Sequence, residues 1–71
     1  MVHKNMRIQN FVEKELQMFR DECNFSDEEL EYFNLRAKDK SNGQIALIMN
    51  CSEAKVSKIA RRVKDKMLKI I

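Results

Sequence analysis

Proline and glycine are almost missing from this sequence of 71 residues, which has no proline and a single glycine, Gly43. A β-rich fold of this length needs several turn residues of these two types, so their near absence predicts a helical protein. A chain this short holds one domain, which buries only a modest share of its surface and is marginally stable alone. We therefore expect a single domain over residues 1–71 that gains stability from a partner.

Several classes of functional site are also missing. The two cysteines, Cys23 and Cys51, are too few for a disulfide scaffold and lack the spacing of metal ligands, so we expect both to be small core residues. There is no glycine-rich phosphate loop and no nucleophile motif, and a short helical chain has little room for a catalytic pocket. We expect no metal, no cofactor and no enzymatic activity.

Long apolar runs are the third absence. No stretch approaches the roughly 18 apolar residues of a membrane span. The first residues also lack the apolar run of a signal peptide. We therefore expect no membrane contact, and a soluble protein of the cytoplasm.

Charge, in contrast, is abundant and unevenly distributed. The formal net charge is +3, but residues 21–40 carry seven acidic and three basic side chains. Residues 41–71 carry seven basic and two acidic side chains. A basic segment beside an acidic one is the asymmetry that a polyanion-binding face produces.

Apolar periodicity predicts four helices. The first spans residues 4–22, where one apolar stripe repeats at spacings of three and four: Ile8, Val12, Leu16, Phe19 and Cys23. The second begins at Ser26, which forms a capping box with Glu29, and ends near Lys38. Its buried face is predicted to be Leu30, Phe33 and Ala37.

The third and fourth helices form the most informative segment. A second capping box, Ser41 with Gln44, begins a helix at Asn42, and Ser52 caps a basic helix from Glu53 to about Lys69. Residues 42–61 meet the requirements of a helix-turn-helix: small Ala46 at the helix crossing, Asn50 at the left-handed turn, and a shared apolar core of Ile45, Met49, Cys51, Val56 and Ile59. The sequence therefore predicts an all-α, four-helix domain, with an N-terminal helix before a trihelical helix-turn-helix unit over residues 26–69.

The stretch from Phe25 to Leu68 resembles the LuxR/FixJ-type (GerE-like) DNA-binding domain and is similar to region 4 of bacterial sigma factors. The matching motifs are Phe25-Ser26-x-x-Glu29, Ser41-Asn42-x-Gln44-Ile45-Ala46, Ser52-Glu53-x-x-Val56 and Lys66-Met67. The family usually has glycine at the position of Asn50 and glutamate at that of Gln44. No helix is predicted after the basic one, where family members have a further helix, so we do not expect the family's mode of dimerisation. The resemblance implies that the last long helix enters the major groove of DNA.

The predicted function is sequence-specific DNA binding by a bacterial or phage transcriptional regulator, with residues 53–69 as the recognition helix. Lysine and arginine can read guanine edges or bind phosphates, and the sequence does not separate the two roles. The third helix can also meet a phosphate through its free N–H groups. The candidate DNA-binding residues are Ser41, Asn42, Ser52, Lys55, Ser57, Lys58, Arg61 and Arg62, with Lys58, Arg61 and Arg62 foremost.

Other basic and acidic residues have ordinary explanations. Lys64, Lys66 and Lys69 are expected to be solvated surface that adds at most a salt-sensitive background attraction. The acidic residues 27–31 suit the start of a helix, and Glu53 suits the first turn of the next. The alternative function is a protein-interaction module of the same shape, which contacts RNA polymerase or other transcription machinery without binding DNA.

A homodimer is the expected assembly on double-stranded DNA. One copy offers few base contacts, and apolar residues remain beyond the needs of the core. These surplus residues are Leu47, Ile48, Met67, Leu68, Ile70 and Ile71.

Overall fold

A computed structural model describes residues 7–70, and within that range the protein is all-helical with no strand. A short 3-10 turn, Ile8–Asn10, is followed by four α-helices. These are α1 (Glu13–Glu22), α2 (Asp27–Ala37), α3 (Asn42–Met49) and α4 (Glu53–Ile70). The all-α, four-helix prediction is confirmed. Residues 4–6 of the predicted first helix lie outside the described range.

The prediction of one continuous helix over residues 4–22 is wrong. The chain is extended at Phe11 and Val12, and α1 begins only after them. The Glu15 side chain accepts a hydrogen bond from the Val12 backbone N–H at 3.0 Å, which caps the new helix. The break turns Val12 outward, 62% exposed, while Ile8 stays buried and the 3-10 turn packs against α2.

Two serine capping boxes hold the starts of α2 and α3, as predicted. Ser26 and Glu29 exchange hydrogen bonds of 3.2 and 3.0 Å, and Ser41 and Gln44 exchange bonds of 3.2 and 2.9 Å. The buried face of α2 is shifted, however. Leu30 and Ala37 are only partly buried, and the face toward the core consists of Glu29, Tyr32 and Phe33.

Three helices end at a residue in the left-handed conformation, and none of the three residues is glycine. They are Asn24, Asp39 and the predicted Asn50, with φ of 54°, 64° and 55°. After α3, the Cys51 N–H donates to the Ala46 carbonyl at 2.9 Å and the Asn50 N–H donates to the Leu47 carbonyl at 3.3 Å. This is the Schellman pattern, which satisfies the last carbonyls of α3 and reverses the chain within three residues.

The core forms around α4. Four of its residues are almost fully buried, at spacings of three and four: Val56, Ile59, Val63 and Met67. They pack with Ile45 of α3 and with a set of edge-on aromatic contacts, in which the Phe19 ring lies 5.1 Å from Phe11 and 6.3 Å from Phe33. The core positions predicted at Val56 and Ile59 are confirmed.

One ion pair joins α2 to the far end of α4. The Lys66 ammonium donates to the Glu29 carboxylate at 2.5 Å and to the Asn24 carbonyl at 3.3 Å. The Glu29 side chain is 7% exposed and that of Lys66 is 34% exposed. Burial opposes ionisation of Glu29, but hydrogen bonds from Lys66 and Ser26 outweigh it, so the pKa of Glu29 is lowered.

Candidate nucleic-acid interface

The α3–turn–α4 unit aims one face of α4 away from the domain. Val56, Ile59 and Val63 fix that helix on the core, and its opposite side is exposed. We call this side the α4 outer face and define it as Ser57, Lys58, Arg61, Arg62 and Asp65, which together line a shallow surface depression. Side chains on this face can meet a large partner without any rearrangement of the core.

The three cations of the α4 outer face form no ion pair within the described structure. Ion pairs within residues 7–70 involve Arg20, Lys55 and Lys66, and none involves Lys58, Arg61 or Arg62. The structure thus brings together the three foremost candidates, all exposed, on adjacent turns of one helix. Asp65, which sequence reasoning passed over, lies among them and reduces the local charge. Its position four residues after Arg61 was the available signal.

Lys55 differs from the other candidate cations. Its Nζ lies 3.0 Å from Oε2 of Glu28, at the start of α2. Both side chains are well exposed, so the pair is weak and can exchange for a phosphate. Lys55 therefore lies at the edge of the interface, beside a shallow groove that Lys58 and Arg62 also line.

The serine and asparagine candidates lie at the starts of the two helices. The Ser52 hydroxyl accepts a hydrogen bond from the Lys55 N–H at 3.1 Å, so it caps α4, and Ser57 is exposed one turn later. Ser41 and Asn42 are exposed at the start of α3. The Glu53 carboxylate approaches this end of α3, within 3.6 Å of where a Cβ on Gly43 would lie. A phosphate there would meet a like charge.

The three lysines expected to be solvated surface prove to be different from one another. Lys64 and Lys69 are exposed as expected. Lys66 is not free surface, because its ammonium is held by Glu29 and the Asn24 carbonyl. The pairing joins residues 37 positions apart in the sequence, so no local pattern could reveal it.

The apolar residues expected to be surplus to the core differ in their exposure. Leu47, Ile48, Leu68 and Ile70 are exposed, Leu47 by 83%. Met67 is buried in the core and is therefore not available to a partner. Ile71 lies outside the described residues.

Residues 7–70 give little support for metal binding, for a reactive cysteine or for a membrane-spanning helix. This range contains no group of three or more His, Cys, Asp or Glu side chains placed to hold a metal ion. Cys23 is buried and Cys51 half-buried, and burial raises the pKa of the Cys23 thiol, which disfavours the reactive thiolate. Over the same range, no helix combines the length and apolar character needed to cross a membrane.

The chain was also compared with known proteins. It matches no protein-family model, no curated protein and no solved structure. Function is therefore inferred from the side chains and their arrangement.

Proposed function

We propose that this protein is a sequence-specific DNA-binding transcriptional regulator that places α4 in the major groove. The observation that carries the proposal is the α4 outer face. Directly after a three-residue turn, a helix exposes Lys58, Arg61 and Arg62, with no ion-pair partner for them in the described structure. A helix of this kind fits the major groove of B-DNA, and its N-terminal half meets the base edges.

The side chains divide into two roles under this proposal. Lys58, Arg61 and Arg62 bind guanine edges or phosphates, with Ser57 beside them as a further hydrogen-bonding group. Lys55 releases Glu28 and binds a phosphate at the edge of the interface. Ser52 keeps its capping bond and positions the helix rather than reading a base. The likeness to LuxR/FixJ-type domains and to sigma region 4 supports the same placement of the helix.

The proposed assembly is a homodimer, in the cytoplasm of a bacterium or in a phage-infected cell. Its interface would use exposed apolar residues, for which α3 offers Leu47 and Ile48 and the end of α4 offers Leu68 and Ile70. To reach adjacent major grooves, the two α4 helices of such a dimer would have to lie about 34 Å apart, one turn of DNA. Sedimentation equilibrium of the free protein tests the dimer directly.

Binding is tested by fluorescence anisotropy with a labelled random duplex, and specificity by selection from a randomised duplex library. The decisive variant replaces Lys58, Arg61 and Arg62 together by alanine. Its matched control replaces Arg7, Lys14 and Lys38, which are exposed and lie outside α4. Both triple variants lower the net charge from +3 to 0.

We expect the first triple variant to lose binding and the control to retain it, with unchanged helicity in both by circular dichroism. Equal losses would mean that net charge alone attracts the DNA. No loss in the first variant would show that another face binds. A library that enriches no sequence would leave a DNA-binding protein but remove the claim of sequence specificity.

A second candidate function is an interaction module that contacts RNA polymerase or another part of the transcription machinery. Exposed Leu47 and Ile48 on adjacent positions of α3 favour it, because neighbouring exposed apolar side chains are typical of a protein-contact surface. Under this candidate, Leu47→Lys with Ile48→Lys would abolish capture of RNA polymerase, and the wild-type protein would not bind duplex DNA at low salt. The DNA-binding proposal predicts instead that DNA binding is lost when Lys58, Arg61 and Arg62 are replaced.

A further inference from the structure

A small hollow lies where the 3-10 turn, α2 and α4 meet, away from the α4 outer face. Its volume is about 140 Å³. Its apolar lining comes from Ile8, Ala60, Val63 and Met67. An apolar cavity of about 150 Å³ is large enough to bind benzene, whereas drug-sized ligands need about 300 Å³ or more. The hollow therefore fits a body of about one six-membered ring.

Three cations surround this apolar lining, and no acidic side chain lines the hollow. They are Arg7, Arg36 and Lys64. The Arg36 guanidinium donates to the Lys40 carbonyl at 2.7 Å and to Oε1 of Gln9 at 3.3 Å. Both acceptors are neutral, so they fix the position of Arg36 without neutralising it. None of the three cations has an ion-pair partner within the described residues.

A buried phenol completes the lining. Tyr32 is only 6% exposed and lines the hollow. No fully buried side-chain oxygen among residues 7–70 lacks a hydrogen-bond partner, so the Tyr32 hydroxyl is a group that solvent or a ligand can reach. Burial raises the pKa of Tyr32, and the positive charge of Arg36 offsets only part of this increase. The phenol therefore stays protonated at neutral pH and can donate a hydrogen bond.

We propose that this hollow binds a small organic anion, in which one carboxylate is joined to a compact apolar ring. The ring occupies the space over Val63 and Met67, and the carboxylate accepts hydrogen bonds from Arg36, Lys64 and the Tyr32 hydroxyl. A polyanion such as DNA is too large to enter, and the three cations repel a metal ion. The proposal does not depend on DNA binding by α4.

Tyr32 makes the test direct, because it is the only tyrosine and the sequence has no tryptophan. Its fluorescence reports on the hollow in the full chain without a label. Cyclohexanecarboxylate is the probe, since it does not absorb where tyrosine is excited. Cyclohexylmethanol has the same ring without the charge, and acetate has the charge without the ring.

We expect a saturable fluorescence change with cyclohexanecarboxylate, half-complete on the order of 1 mM for a ligand of this size. The alcohol and acetate should each bind about tenfold more weakly or less, since each lacks one half of the recognised chemistry. No saturable change up to about 20 mM, twenty times that concentration, overturns the proposal. Equal affinity for the alcohol overturns the role of the cations.

Two variants locate the site. Lys64→Gln should weaken binding about fivefold, as expected when a partly screened charge is removed, whereas Lys69→Gln, an exposed lysine on the same helix, should leave it unchanged. Ala60→Leu fills the hollow and should abolish binding. Circular dichroism checks that each variant is folded, and if Ala60→Leu is not, the Lys64 and Lys69 pair decides. Identical affinities in that pair would refute the assigned site.

Discussion

The ion pair between Lys66 and Glu29 offers the sharpest test of how the domain is held together. In Lys66→Met, the buried Glu29 carboxylate loses the ammonium at 2.5 Å but keeps the hydrogen bond from the Ser26 N–H at 3.0 Å. A hydrogen bond to a charged group contributes about 1.5–3 kcal/mol, and Lys66 is partly solvated, so we take the lower half of that range. The expected cost is about 2 kcal/mol of the free energy of unfolding.

For a domain of this size, such a loss lowers Tm by roughly 8–16 °C. Thermal unfolding followed by circular dichroism measures it, with Lys69→Met as the control for charge and helix propensity. A double-mutant cycle with Glu29→Gln, which keeps the capping oxygen and removes the charge, isolates the pair. If Lys66→Met is as stable as Lys69→Met at neutral pH, the pair does not hold α2 to α4.

The pH dependence of this difference has a definite sign. The pKa of Glu29 is lowered by folding from its ordinary value of 4.5. Glu29 therefore adds stability that is fully present above that value and is lost as the pH falls through the lowered value. Without Lys66 that stabilisation shrinks, so the difference between wild type and Lys66→Met should be largest near neutral pH and should narrow as the pH falls below 4.5. A difference that grows in acid would contradict the assignment.

Two further predictions concern the α3–turn–α4 unit, and chemical denaturation measures both. Asn50 is left-handed, with φ of 55°, so Asn50→Val should lower the free energy of unfolding by about 1–2 kcal/mol. Asn50→Gly should change it by less than about 0.5 kcal/mol, because relief of backbone strain offsets the greater flexibility of the unfolded chain. Equal stabilities for the two variants would show that the turn is not held in this conformation. Gly43→Ala should stabilise the domain by about 0.5–1 kcal/mol, since the added Cβ would lie 3.6 Å from its nearest neighbour, an ordinary contact. A loss of stability would mean that the Glu53 side chain lies closer to this position.

The parts of the fold that sequence reasoning predicted are those governed by nearby residues. The capping boxes at Ser26 and Ser41 act over three positions, and the buried stripe of α4 repeats every three or four. Asn50 was identifiable because it follows an apolar run and precedes a capping serine. Each of these signals lies within one helix or one turn.

The parts that were missed depend on contacts between distant elements. Val12 continues the apolar stripe of α1, yet the 3-10 turn gains more by folding back onto α2, and this exposes Val12. Glu29 looks like a solvated capping residue until Lys66 is found beside it. On the candidate interface, the exposure of Lys58 follows from helix periodicity. That Glu28 pairs with Lys55 and not with Lys58 depends on where α2 begins.

The central claim, that the α4 outer face binds DNA, is tested most directly by the salt dependence of duplex binding in wild type and in the variant without Lys58, Arg61 and Arg62. If each of these cations neutralises one phosphate, they contribute a slope of about −2.7 in log K against log salt, or about 40-fold in affinity between 50 and 200 mM. We predict that wild type binds at low salt with at least this dependence and that the variant loses it. No binding at low salt, or an unchanged slope in the variant, would contradict the account.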